Sequence, residues 1–226
     1  MRIAVLGTGG VGRAIAGALA ALGHDVEIGT RDPEALAART EADGMGNPPF
    51  SAWHADHANI PVRAFAGVGE GADLLVNATL GTGSIAALEA VGAERLTGIT
   101  ILDLSNPLDF SHGFPPSLFV SNTDSLAEQI QATFPEARVV KSLNTVTAAV
   151  MVDPMALAGG AHSMFVCGND DAAKTEVTGL LRELGWRHIV DLGDLSAARA
   201  LEMYVPLWLR LFQATGTPMV NVSVVS

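Results

Sequence analysis

One cysteine, one tyrosine and two lysines are all that this 226-residue chain holds of those residue types. Cys167 lies in the apolar run Ser-Met-Phe-Val-Cys and has no second thiol to pair with. Disulfide and zinc-centre readings therefore fail for want of partners, leaving a core thiol. Positive charge is scarce too: 13 basic residues stand against 24 acidic ones, for a net charge of −11, and the basic residues are scattered. That distribution argues against nucleic acid and anionic membrane as partners. No apolar run approaches the roughly 20 residues of a membrane span. The first apolar run is only a strand long and leads into a glycine turn, so it is not a signal peptide. A soluble, cytoplasmic protein is expected. Catalytic signatures are missing as well: there is no G-x-S-x-G, no H-E-x-x-H and no Tyr-x-x-x-Lys pair around Tyr204. No catalytic acid, base or nucleophile and no metal ligand set is expected.

What the chain does have is concentrated at its start. Met1 to Leu6 is a strand pattern; Gly7-Thr8-Gly9-Gly10-Val11-Gly12 follows; Arg13 to Gly23 is helical with small residues on one side; Asp25 to Arg31 is a second strand. This is a β-α-β unit. Gly7 permits the tight turn, Gly9 keeps no Cβ between the backbone and a pyrophosphate, and Gly12 lets the helix approach the sheet. The opening helix aims unpaired N–H groups and the positive end of its dipole at the same place.

The end of the second strand bears on which dinucleotide fits. A carboxylate there would take the ribose hydroxyls of NAD, whereas a 2′-phosphate needs donors and positive charge. Thr30 and Arg31 supply a hydroxyl and a two-pronged cation, each bond worth roughly 1.5–3 kcal/mol. Asp32 is the competing ribose carboxylate, but it precedes Pro33 in an Asp-Pro-Glu sequence that reads as the cap of the next helix. NADP is the expected cofactor. The local field must come from the turn and Arg31, because the chain as a whole repels anions.

The rest alternates strands and helices. Strands are expected at 62–65, 72–78, 98–105, 138–142, 163–168 and 187–191; helices at 33–41, 84–91, 125–134, 170–184 and 195–214, the last kinked at Pro206. An irregular stretch from 44 to 61 carries Trp53, His54 and His57, either a binding lid or a surface insertion with solvated histidines. A second irregular connection runs from 108 to 120. The apolar tail from 216 is expected to dock, on the chain's own body or on a second subunit. The fold class is α/β, a Rossmann-type doubly wound, mostly parallel sheet with a small C-terminal helical extension. Residues 1–145 form the dinucleotide-binding domain and 146–226 a segment extending the sheet and closing the cleft. Ligands of such sheets lie outside the carboxyl ends of the strands, where Thr79, Asn106 and Asn144 fall. Lys141, at another strand end, is either a substrate-steering cation or an ordinary ion-paired lysine.

With these segments in place, nearly the whole chain resembles the F420H2:NADP oxidoreductases and the related dinucleotide-binding domain of ferric reductases. The resemblance is carried by the N-terminal glycine turn, Leu22-Gly23-His24 with Gly29-Thr30-Arg31, Val139 to Thr145, Val166 to Asp170 and Val190 to Arg199. It implies direct hydride transfer between nicotinamide and the deazaflavin coenzyme F420. Thr8, Gly9, Gly10, Val11, Thr30 and Arg31 would hold NADP, and Ala78, Thr79, Asn106 and Asn144 would line the nicotinamide end. A small-molecule redox acceptor and a homodimer are expected. Reduction of a flavin, quinone or ferric chelate, or a non-catalytic NADP-binding module, are the alternatives. Ring-to-ring hydride exchange needs alignment and exclusion of water more than a proton donor, which fits the missing acid and base.

Overall fold

The computed structural model describes residues 1–42 and 46–225. Ten strands are found among them: β1 Arg2–Leu6, β2 Asp25–Thr30, β3 Val62–Ala64, β4 Leu74–Asn77, β5 Thr100–Asp103, β6 Leu108–Asp109, β7 Ser117–Leu118, β8 Arg138–Ser142, β9 Ser163–Gly168 and β10 His188–Asp191. Eight make one sheet in the order β10-β9-β8-β5-β4-β1-β2-β3, and β6 pairs with β7 separately. From β8 to β3 every pairing is parallel. The direction reverses between β8 and β9, which run antiparallel, while β10 follows β9.

Burial along β4 and β5, and along β1 and β8 after their first residues Arg2 and Arg138, explains their continuous apolar sequence, because both faces of a parallel sheet are covered. Alternate residues feed two cores. Ile3, Val5, Val76, Leu102 and Val140 pack beneath the helices Gly10–Ala21, Ala148–Val152 and Asp171–Glu183. Ala4, Leu6, Leu75, Ile101 and Val139 face the helices Ser84–Val91, Leu126–Thr133 and Ala198–Thr215. Each buried aliphatic side chain contributes about 1.5–3 kcal/mol. The sheet is therefore doubly wound, as the alternating pattern requires.

Helix starts follow local chemistry. Asp32 Oδ1 accepts the Ala35 N–H at 2.9 Å, so its carboxylate caps Pro33–Ala37. Asp170 caps Asp171–Glu183 in the same way. At Leu126–Thr133 the cap is Ser125, whose hydroxyl accepts the Glu128 N–H, and Asp124 instead accepts the Ser125 N–H.

Two expectations need correction. The 44–61 stretch is not irregular throughout: it contains the helix Phe50–Ala55, while its first two residues lie outside the described ones. Its histidines are tied down rather than solvated, His54 Nε2 lying 2.9 Å from the Ile60 carbonyl and His57 stacking on Trp53 at 4.2 Å. The 108–120 connection holds the small β6-β7 hairpin, too short to leave a periodic pattern. The expected C-terminal helix is found at Ala198–Thr215, with Pro206 in its interior. The tail docks on the chain's own body, where Val222 accepts the Ser163 N–H and Val224 donates to the Ser163 hydroxyl.

Candidate functional site

The carboxyl ends of β1, β2, β4, β5 and β8 share one edge of the sheet, and the expected ligand-facing residues follow them directly. Gly7 sits at φ +116°, and a Cβ there would lie 2.5 Å from the Ala78 carbonyl oxygen. A Cβ on Gly12 would come within 2.1 Å of the Gly7 oxygen, so the helix and the turn touch through bare backbone. A Cβ on Gly9 would meet nothing within 4 Å. Two glycines are thus required by packing, and the third leaves an open space above the start of the helix.

Beside that space lies a cleft of about 560 Å³ lined by Thr8, Gly9, Arg13, Leu36, Arg39 and Phe50 among others. Arg13 is nearly buried. It donates to the Thr8 carbonyl at 2.8 Å and to the Pro48 carbonyl at 2.6 Å, and lies 5.4 Å from the Phe50 ring centroid, so it braces the cleft wall. Thr30 is buried at the end of β2. Arg31 is exposed and makes no hydrogen bond or ion pair among the described residues.

The other end of the edge is neutral and interlocked. Thr79 donates its hydroxyl to Asn77 Oδ1 at 2.7 Å and meets Ser84 Oγ at 2.9 Å. Asn106 and Asn144 exchange bonds: Asn106 Nδ2 donates to the Asn144 carbonyl at 3.0 Å, and Asn144 Nδ2 donates to Asn106 Oδ1 at 2.9 Å. Asn144 Nδ2 also reaches the Leu201 carbonyl in the C-terminal helix. Asn144 Oδ1 and Thr145 Oγ1 are buried without a partner. Orphaned buried acceptors are costly unless a ligand or water completes them. Gly81 lets the 79–84 loop press on the 105–107 loop, since a Cβ there would stand 2.0 Å from the Asn106 carbonyl oxygen.

Behind these loops lies a charged group that sequence reasoning saw only in part. Lys141 is fully buried, its Nζ 2.8 Å from Asp103 Oδ2 and 2.9 Å from Glu202 Oε1, and it donates to the Ser105 carbonyl as well. Lys141 is ion-paired, so of the two readings of this residue the steering cation has no free charge to offer. Burial by itself disfavours its charge, but Asp103 and then Glu202 outweigh that and raise its pKa above the ordinary lysine value. Asp103 and Glu202 carried no motif; Asp103 closes an apolar strand and Glu202 lies on the buried stripe of an amphipathic helix, and that break in the stripe was the available signal. Cys167 is buried beside this group, and desolvation pushes its thiol pKa up to about 12. Among the described residues no cluster of His, Cys, Asp or Glu is arranged to hold a metal.

A glycine-turn β-α-β unit opening a doubly wound sheet, with a crevice along the carboxyl ends of its strands, defines a dinucleotide-binding α/β protein of the Rossmann type. Residues 2–106 match the family described as NADP oxidoreductase, coenzyme F420-dependent. A crystal structure from Arthrobacter sp. FB24, described as a proposed F420-dependent NADP reductase, is 58% identical over 100% of both chains with a TM-score of 0.96. The F420-dependent NADP reductase of Methanocaldococcus jannaschii is 30% identical over 55% of this chain and 56% of its own. The metalloreductase STEAP3 of Rattus norvegicus is 25% identical over 92% of this chain and 37% of its own. The chain thus spans about half the length of the first of these curated relatives and less of the second. It belongs to the F420-dependent NADP oxidoreductase family. Among the described residues no helix is long and apolar enough to cross a membrane.

Proposed function

We propose that this protein binds NADP(H) along the carboxyl edge of its sheet and exchanges a hydride between it and the deazaflavin coenzyme F420. The observation that carries the nucleotide half is the open space at Gly9 with the unpartnered Arg31 guanidinium nearby. These features fit the group: a pyrophosphate needs bare backbone and free N–H donors, and a 2′-phosphate needs a fork-shaped cation. In this reading Gly7, Thr8, Gly9, Gly10, Val11 and Gly12 cradle the pyrophosphate, and Thr30 and Arg31 hold the 2′-phosphate. Ala78, Thr79, Asn106 and Asn144 line the nicotinamide end, where the buried, unpartnered Asn144 Oδ1 offers an acceptor to the carboxamide.

When bound, NADPH supplies a hydride from nicotinamide C4. The chain's own part is to hold two flat rings in register and keep water out. That division of labour is supported by the saturated state of the nearby ionisable groups: Asp103, Lys141 and Glu202 bond one another and the backbone, leaving no free acid or base among them. The names of the Arthrobacter and M. jannaschii relatives support F420 as acceptor. The metalloreductase relative favours a second reading, a ferric chelate as acceptor. Mixing the protein with NADPH and oxidised F420 tests the first, with bleaching of the deazaflavin absorbance expected. Turnover with ferric chelate, flavin or quinone and none with F420, in protein that binds NADPH, would replace it. The same reading has the protein working as a cytoplasmic homodimer, and light scattering of the purified chain tests the stoichiometry.

A further inference from the structure

Asp103, Lys141 and Glu202 are each 1% exposed or less, one cation between two carboxylates. Removing three charges from water costs several kcal/mol per ion, and apolar residues of similar volume often do at least as well for stability. A role in stability alone accounts poorly for such a group. Its bonds run elsewhere. Glu202 accepts the Leu126 and Ala127 N–H groups at 2.8 and 3.2 Å. Asp103 Oδ1 accepts from Asn77 Nδ2 at 2.8 Å and from the Ser105 hydroxyl at 2.7 Å. Asn77 in turn fixes the Thr79 hydroxyl. Lys141 holds the Ser105 carbonyl, and the next residue, Asn106, is locked to Asn144, which reaches Leu201, the residue before Glu202. Both loops of the neutral end and the C-terminal helix therefore hang from one buried group. Among the described residues none of its hydrogen bonds reaches the Gly7–Gly12 turn or Thr30 and Arg31.

We propose that Asp103, Lys141 and Glu202 are positioning residues for the reacting end of the nucleotide: they set the alignment of its ring and contribute little to its affinity. This rests on the reading of the edge as an NADP(H) site. The test uses Glu202→Gln, which removes the charge and keeps one acceptor oxygen for either the Leu126 or the Ala127 N–H, and Asp103→Asn, which decides the matter if the first variant does not fold. Each is measured as the full chain for NADPH dissociation constant, for fluorescence anisotropy of the bound reduced nicotinamide, and for kcat, KM and the isotope effect with 4-deuterated NADPH. The dissociation constant and KM should stay within about threefold while kcat falls about 10- to 100-fold, as expected for a misplacement of the order of 1 Å. Anisotropy should drop as the ring loosens, and the isotope effect should rise as hydride transfer becomes rate-limiting. A folded variant with unchanged kcat and anisotropy overturns the proposal, as does one in which affinity and kcat fall by the same factor. Failure of the unaltered protein to bind NADPH would overturn the nucleotide reading itself, and is told apart because it appears without any substitution.

Discussion

Replacing Arg31 with Ala separates phosphate recognition from scaffold. Its side chain is exposed and bonded to nothing among the described residues, so its loss breaks no existing contact and stability should stay within about 0.5 kcal/mol. Towards a 2′-phosphomonoester the guanidinium offers charge-assisted bonds of roughly 1.5–3 kcal/mol each. Exposure to water and salt screens them toward the low end of that range. The expected loss is about 1.4–2.7 kcal/mol, which is about 10- to 100-fold in NADPH affinity. NADH, lacking the phosphate, should bind the variant as it binds the parent. Asp32→Ala is the companion. Its carboxylate caps a helix, so it should cost about 0.5–2 kcal/mol of stability and leave the ratio of NADPH to NADH affinity unchanged. Titration of both nucleotides at two salt concentrations, with a urea melt of each variant, reads all of this. Equal loss of NADPH and NADH on removing Arg31, or selective loss of NADH on removing Asp32, refutes the reasoning.

Two further outcomes follow from local geometry. Gly9→Ala should melt like the parent yet lose NADPH binding at least tenfold, because its methyl meets no protein atom and projects into the pyrophosphate space; Gly12→Ala, driven against the Gly7 oxygen, should lose stability, and calorimetry with nucleotide titration separates the pair. Stability should also decline below about pH 4.3, the ordinary glutamate value. The Arg199 hydrogen bond, partly opposed by desolvation, holds the Glu128 carboxyl below that value, so its contribution is present at neutral pH and disappears as pH falls through the lowered folded-state pKa. Urea midpoints from pH 7 to pH 3 should fall less steeply in Arg199→Ala; an unchanged acid limb would exclude this pair as a cause.

Where the sequence was informative, a residue's chemistry and its neighbours in the chain agreed. The glycine turn needed only six residues to announce itself, and the structure explains Gly7 and Gly12 by contacts under 3 Å that no side chain survives. Strands buried on both faces leave continuous apolar runs, so β1, β4, β5, β8 and β9 were readable to within a residue or two. Failures came where meaning is non-local. Asp103 and Glu202 lie 99 residues apart and become intelligible only once Lys141 stands between them. The helix at Phe50–Ala55 lacks a side-chain cap and sits among prolines and histidines, so its register is set by docking rather than by propensity. The family-specific segments were legible as motifs, but their place in the fold was not. Val166 to Asp170 lies at the end of the antiparallel β9, which finishes opposite the middle of β8, away from the carboxyl ends of the parallel strands.

That reversal between β8 and β9 has a consequence for redesign. Because β9 and β10 run against the other six strands of the sheet, the turns leaving them, at Asn169 and Gly193, emerge on the rim opposite the crevice. Extra residues, a tag or a guest domain spliced at Gly193 would be carried on the far side of the molecule, whereas the same splice between Ser142 and Ser163 would crowd the mouth where the rings must meet.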